Sequence, residues 1–289
     1  MKTLTKYLDE KLVIFPSQVD EKLIINKDYK DVHAYTCTPK SFEELRKVIE
    51  DRYDKLGPGT NDKPIDFNDI DVSNIDSFYN KYYDISIFNE IKFEYIDISD
   101  WDVSNVKDMI YMFCDCTQLK SIGDLSNWDV SNVKYMDDMF CNCHSLKSVG
   151  DLSNWNVSNI ESINYMFYCC NQLTSVGDLS NWNVSKVKFM TSVFDKCKQL
   201  KSIGDLSDWN VSNVKYMDDM FRECVLLESI GDLSNWNILK VENICRMFYM
   251  CKQLKSVGDL SNWDVSKVKY MGNMFYKSGI TNIPKWYKE

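Results

Sequence analysis

The chain has 289 residues, with 34 Lys and Arg against 43 Asp and Glu, and its net charge of −9 counts against general affinity for phosphate backbones or anionic lipid. Apolar residues at 44% and aromatic residues at 13% suffice for an ordered core, and no apolar run approaches the ~18 residues of a membrane span. Neither nucleic acid nor a membrane is therefore expected as a partner. The opening MKTLTKYLDEKL carries acids where a secretory signal needs an unbroken apolar stretch. A cytoplasmic location is expected.

Residues 1–69 lie outside any repeat and read as an N-terminal cap region. Within it, Pro39-Lys-Ser-Phe-Glu-Glu-Leu offers Ser41 as a helix N-cap with Glu44 three residues on, which predicts one helix over 41–53. Gly57, Pro58 and Gly59 end it. A degenerate first coil follows over 70–100, beginning Ile70-Asp-Val-Ser-Asn-Ile75 and stretched to 31 residues by an insertion around Tyr79 to Phe88.

From Trp101 the chain repeats. Seven tryptophans from Trp101 to Trp263 and six cysteines, Cys116, Cys143, Cys170, Cys197, Cys224 and Cys251, recur every 27 residues. Such a period marks a stack of supersecondary units, none of which buries its apolar face alone. In the copy WDVSNVKYMDDMFCNCHSLKSVGDLSN the apolar residues are Trp128, Val130, Val133, Met136, Met139, Phe140, Cys143, Leu146, Val149 and Leu152. Spacing by three fits neither a long helix nor a free-standing strand; it suits short extended segments and single helical turns joined at corners. Leu146–Val149 is expected to be a strand pairing in parallel with the next coil, Asn132–Met136 a second strand or turn, and Asp137–Cys141 a short helix. Ser131 and Asn132 are expected to cap such turns, and Gly150-Asp151 and its equivalents to turn the chain. Regular coils run over 101–262, and a C-terminal capping coil over 263–289 loses one residue, gains Pro284 and keeps Trp286.

The side chains that could carry chemistry read more simply as structure. The tryptophans and the Met-Phe pairs lie in step with inward Leu and Val, which places them in the core. The cysteines recur at one repeat position, as buried reduced thiols would. One turn Asp per coil lacks the converging oxygens that calcium needs. Cys141-Asn-Cys143-His144 has no second ligand pair at a zinc spacing. His33 and His144 sit in no nucleophile motif and no phosphate-binding Gly-rich loop occurs. Neither a catalytic residue, a cofactor nor a metal is assigned.

The eighth repeat position is different. It carries Tyr135, Phe189, Tyr216 and Tyr270, preceded by Lys134, Lys188, Lys215 and Lys269, with Ser162 and Asn243 in the other coils. Alternation with buried Val and Met should turn these side chains outward as an aromatic, basic stripe. Tyrosines beside charge are common anchors of protein interfaces, while lysine stems also shield solvated strands.

The string DLSNWDVSNVKYMDDMF-x-x-C-x-x-L resembles the repeat units of the BspA-like leucine-rich-repeat surface-protein family over residues 70–289. The resemblance implies an α/β, β-rich leucine-rich-repeat-like solenoid of about eight coils, with a parallel sheet, short helical turns and a small N-terminal α+β cap. It also implies binding without catalysis. The Gly-Asp insertion and the missing export signal depart from that family. A second resemblance links Met1 to Glu10 to the capsid-targeting peptides of internal head proteins of T-even-like phages, which implies cleavage after Leu8-Asp9-Glu10; a short amphipathic helix is the competing reading. The expected function is a non-catalytic protein–protein interaction module with a protein partner. A virion or capsid-internal protein and an exported surface adhesin are the alternatives.

Overall fold

The computed structural model describes residues 23–25, 32–80, 82 and 85–288. Two short strands, β1 (Leu23–Ile25) and β2 (Val32–Ala34), pair antiparallel, and α1 follows at Phe42–Leu56. Ser41 caps it as expected, its Oγ accepting the Glu44 N–H at 3.2 Å, while the Glu44 Oε2 return bond goes to the Lys40 N–H at 2.8 Å, one residue before the cap. The helix runs one turn past the expected Tyr53, because Asp54, Lys55 and Leu56 carry no breaker; it stops at Gly57, φ 75°, whose N–H returns to the Tyr53 carbonyl.

Leu45 and Ile49 bury one face of α1 against the first coil, where Tyr53 meets Phe93 edge-on at 5.0 Å. Arg52 lies over the Phe67 ring and pairs with Asp69 at 2.5 Å. The first coil shows the 31-residue step read from the sequence: β3 (Ile65–Asp66) and β6 (Ile96–Asp97) pair in parallel, Ile65 opposite Ile96. The inserted residues form a hairpin of β4 (Tyr79–Asn80) and β5 (Ile85–Ser86).

From residue 101 the coils pile on one another in strict 27-residue register. Parallel bridges link Asp108 to Tyr135, Tyr135 to Ser162, Ser162 to Phe189, Phe189 to Tyr216, Tyr216 to Asn243 and Asn243 to Tyr270. A second column joins Ser148 to Ser175 and Ser202 to Ser229. These are single bridges, so the expected Leu146–Val149 strands shrink to one paired residue each. The reason is the triplet pattern itself. Val133, Met139, Cys143 and Leu146 donate to Val130, Met136, Phe140 and Cys143, so that consecutive tight turns take up the N–H groups a strand would offer its neighbours.

Nor is Asp137–Cys141 a helix. Asp138 and Asn142 sit at φ 56° and 59°, which breaks any helical run. The N–H groups of Asp138, Phe140 and Asn142 instead donate to Asn164, Met166 and Tyr168 of the next coil, each at 2.8 Å. Helical turns do occur after the Gly-Asp pair, as one-turn 3₁₀ segments such as Leu152–Asn154 and Leu233–Asn235. Asp151 caps the first by accepting the Ser153 N–H at 3.0 Å. The cap inferred at Ser131-Asn132 is supplied by Asp129, which accepts the Ser131 N–H, while Asn132 reaches the Ser104 carbonyl of the coil before at 2.7 Å.

The interior is built of columns in which each residue type packs on its own copies. Indoles from Trp128 to Trp263 stack at 6.4–6.5 Å with interplanar angles of 1–3°. Each Nε1–H ends on a carbonyl of an earlier coil, as Trp155 does on Leu125 at 2.8 Å. Phenylalanines from Phe113 to Phe248 stack beside them at 5.2–6.0 Å. The thiols of Cys143, Cys170, Cys197, Cys224 and Cys251 donate to phenylalanine carbonyls at 2.9–3.1 Å. At the C-terminal end Trp286 continues the indole column, 6.2 Å from Trp263, and donates to the Leu260 carbonyl.

The Gly-Asp corner is tightly constrained. Gly204 sits at φ 89°, and a Cβ there would overlap Asp178 Oδ1 of the preceding coil. Gly272 has open space around it. Gly204→Ala is therefore expected to cost more than about 2 kcal/mol in urea unfolding, and Gly272→Ala less than about 0.5 kcal/mol. Equal effects would show that the corner is not under this constraint.

Candidate interaction surface

The bridges at the eighth repeat position fix where the aromatic stripe lies. Because Tyr135, Phe189, Tyr216 and Tyr270 belong to one bridged column, they share a face with Ser162 and Asn243 between them. Phe189 and Tyr216 are neighbours and stack at 6.0 Å. Tyr135 and Tyr270 stand apart, 38% and 61% exposed, while Ser162 is buried and bonded to Asp137. The stripe is thus three aromatic islands on one line.

The lysines in the neighbouring column do not make a basic strip. Glu161 and Glu242 occupy that column too, and they pair with Lys188 at 2.6 Å and Lys269 at 2.5 Å. Hydrogen bonding to these lysines draws both carboxyls below their ordinary range, with Lys134 and Lys215 adding attraction from the other side. The sequence reading omitted the two glutamates, and with them the column from Lys107 to Lys269 carries a glutamate after every two lysines. Lys134, Lys188, Lys215 and Lys269 are all exposed.

A second band, missed by the sequence reading, continues the face past the stripe. Its members sit at the tenth, eleventh, fourteenth and fifteenth repeat positions, where residue type changes from coil to coil. Tyr165 meets Tyr168 edge-on at 5.8 Å, and Tyr249 stacks on Tyr276 at 5.3 Å. Arg222 pairs with Asp195 at 3.1 Å and Glu223 at 2.8 Å, and Arg246 with Asp219 at 2.7 Å. A cleft of about 350 Å³ opens between Asp218, Asn243, Arg246 and Tyr270, which ties this band to the stripe. The available signal was variability among copies of one repeat: these outward positions differ while the framework around them stays constant.

Charge on this band is held under stress. Burial, with repulsion from Asp137 and Asp115, pushes the Asp138 carboxyl up to about 6. Burial likewise raises Asp195 to about 6, against the pull of Arg222, and raises Asp137 and Asp218.

The other residues weighed from sequence have separate engagements. Cys143 donates its thiol inward to Phe113, whereas the His144 ring lies against the Cys169 carbonyl at 3.0 Å, so the two face different neighbours. The turn aspartates cap the serines two residues on. Among the described residues no cluster of three His, Cys, Asp or Glu side chains is arranged to hold a metal ion. Leu8 and Glu10 lie outside the described residues.

Asp138→Asn tests the electrostatics of the band. A folded-state value of about 6 against the ordinary 3.8 means that ionised Asp138 destabilises the fold above about pH 6, and that the penalty fades as pH falls toward 3.8. The variant is expected to melt a few degrees above the wild type at about pH 7.5, with the difference closing near pH 4. A pH-independent increment would give the gain another origin.

Comparison with known proteins adds the family. A leucine-rich repeat protein from Eubacterium ventriosum is 16% identical over 64% of this chain and 44% of its own, with a TM-score of 0.29; the chain thus spans less than half of that structure. A leucine-rich repeat protein from Bacteroides ovatus is 17% identical over 93% of this chain and 69% of its own, with a TM-score of 0.24. No curated protein matches the chain. One family model matches twice, over residues 60–176 and 172–286, which together take in the first coil and every repeat, and the chain accordingly belongs to the family described as Mycoplasma protein of unknown function, DUF285.

Proposed function

We propose that this repeat protein is a non-catalytic protein-interaction module that engages a protein partner along the bridged eighth-position column and the variable band beside it. One observation carries the reading: every coil presents the same bridge at that position, yet the side chain mounted on it changes from Tyr to Ser, Phe, Tyr, Asn and Tyr. A purely architectural column would repeat itself, as the indoles and thiols do. A recognition surface needs a constant scaffold with coil-specific side chains.

Chemistry favours protein over other partners. Tyrosine islands beside paired charges supply rigid amphipathic contacts at low entropic cost, while the acidic balance and the glutamates in the lysine column disfavour a polyanion. The eleven free cysteines, most of them buried, suit a reducing compartment and support a location inside a cell.

The triple variant Phe189→Ala, Tyr216→Ala, Tyr270→Ala tests the assignment. These side chains are partly exposed, so circular dichroism and melting should be little changed. Affinity for the partner captured from the native source with the wild-type chain is expected to fall about thirtyfold or more, the scale of a central interface anchor. Retention of that partner at unchanged affinity would remove the stripe from the interface.

A further inference from the structure

The fourteenth repeat position carries Cys114, Cys141, Tyr168, Asp195, Arg222, Tyr249 and Tyr276 in successive coils. Side chains in this column meet their neighbours one coil away. Arg222 pairs with Asp195 at 3.1 Å and lies 5.7 Å over the Tyr249 ring, which in turn stacks on Tyr276. Cys114 and Cys141 are the adjacent thiols of the same column.

Their backbones are locked in register. Phe113 donates to Met139 at 2.8 Å and Asp115 to Cys141 at 2.9 Å, on either side of Cys114. Neighbouring backbones bonded in this way run ~4.8 Å apart, inside the ~4.4–6.8 Å range of Cα separations that a disulfide spans. Cys114 and Cys141 therefore hold adjacent places in the column, with Asp138 three residues before Cys141.

The repeat contains another thiol column, and the contrast is informative. Cys143, Cys170, Cys197, Cys224 and Cys251 are fully buried and donate to backbone carbonyls in a dry interior, with Cys116 at 8% exposure at the end of their column. Cys114 is half-buried at the surface, with Cys141 just beneath it at 7% exposure. A dissolved oxidant can reach Cys114 and not the fully buried thiols from Cys143 to Cys251.

We propose that Cys114 and Cys141 form a redox modification site, closed by a low-molecular-weight disulfide of the glutathione type into an intramolecular Cys114–Cys141 disulfide that staples the first two regular coils. The Cys114 thiolate attacks one sulfur of the reagent, breaking its S–S bond and releasing one thiol. The Cys141 sulfur then attacks Cys114, displaces the second thiol and passes its proton to the Asp138 carboxylate and on to solvent. In net terms one small-molecule disulfide is reduced to two thiols while two protein thiols are oxidised to one disulfide. Hydrogen bonding to Cys114, together with burial and the nearby Asp138 charge, pushes the Cys141 thiol up, so attack begins at the outer cysteine.

The test treats the folded full chain with oxidised glutathione, alkylates the remaining thiols, and identifies cross-linked peptides by tandem mass spectrometry. The expected result is a loss of two of the eleven thiols, a Cys114–Cys141 link, and its full reversal by dithiothreitol. Cys114→Ser should abolish the link and Cys245→Ser, at another surface thiol, should leave it. The idea is overturned by a stable mixed disulfide on Cys114 with Cys141 still free, by a link that persists in Cys114→Ser, or by pairing within the inner column.

Discussion

Register between coils is the constraint on which the rest of this molecule depends. Each coil is tied to the next by backbone hydrogen bonds between residues one repeat apart, and these bonds leave no freedom to slide. Every side chain must therefore pack against its own equivalent above and below. Flat indole and phenyl rings meet that demand by offset stacking, and a small thiol meets it by bonding to a carbonyl of the coil before. A poor self-packer at any inward position would repeat its defect along the whole stack.

Past the eighth-position bridge, where Glu161 donates back to Lys134, coil-to-coil bonding also runs one way. The N–H groups of Met136, Asp138, Phe140 and Asn142 all donate forward, to the carbonyls of Ser162, Asn164, Met166 and Tyr168. In an ordinary parallel pair, bonds would run back as well. Here the carbonyls of Met136, Asp138 and Phe140 are taken by turn N–H groups from Met139, Cys141 and Cys143. Left-handed residues recur at Asp138, Tyr165, Ser192, Asp219 and Arg246, none of them glycine. The backbone spends conformational strain there to hold these side chains in fixed positions.

The same register turns surface electrostatics into a column problem. Identical charges face each other at the spacing of neighbouring coils, and the chain relieves this by setting opposite charges into the columns: Glu161 beside Lys188, Glu242 beside Lys269, Asp195 beside Arg222. Burial raises the Asp137 and Asp138 carboxyls, and repulsion from Asp137 and from Asp115 of the coil before adds to the rise at Asp138. The pairs Glu161–Lys188, Glu242–Lys269 and Asp195–Arg222 do not show in a reading of one repeat, because each partner lies a full coil away in sequence.

The sequence by itself determined the period, the composition of the inner columns, the helix cap at Ser41, the 31-residue first step and the line of the aromatic stripe. Each follows from local chemistry or from counting: a repeated apolar triplet has one side to bury, and residues one period apart must align once the coils stack. Only the tertiary structure decided what the backbone does between the apolar anchors. The sequence cannot say whether an N–H closes a turn on its own coil or reaches the next, because both bonds are available to the same triplet. The packed stack selects turns at Met139 and Cys143 and cross-coil bonds at Asp138 and Phe140, which is why strands and a helix were expected where single bridges and left-handed turns stand. That selection also sets which outward residues become neighbours, and so puts Cys114 beside Cys141 in one column and brings the charges of Asp195 and Arg222 face to face.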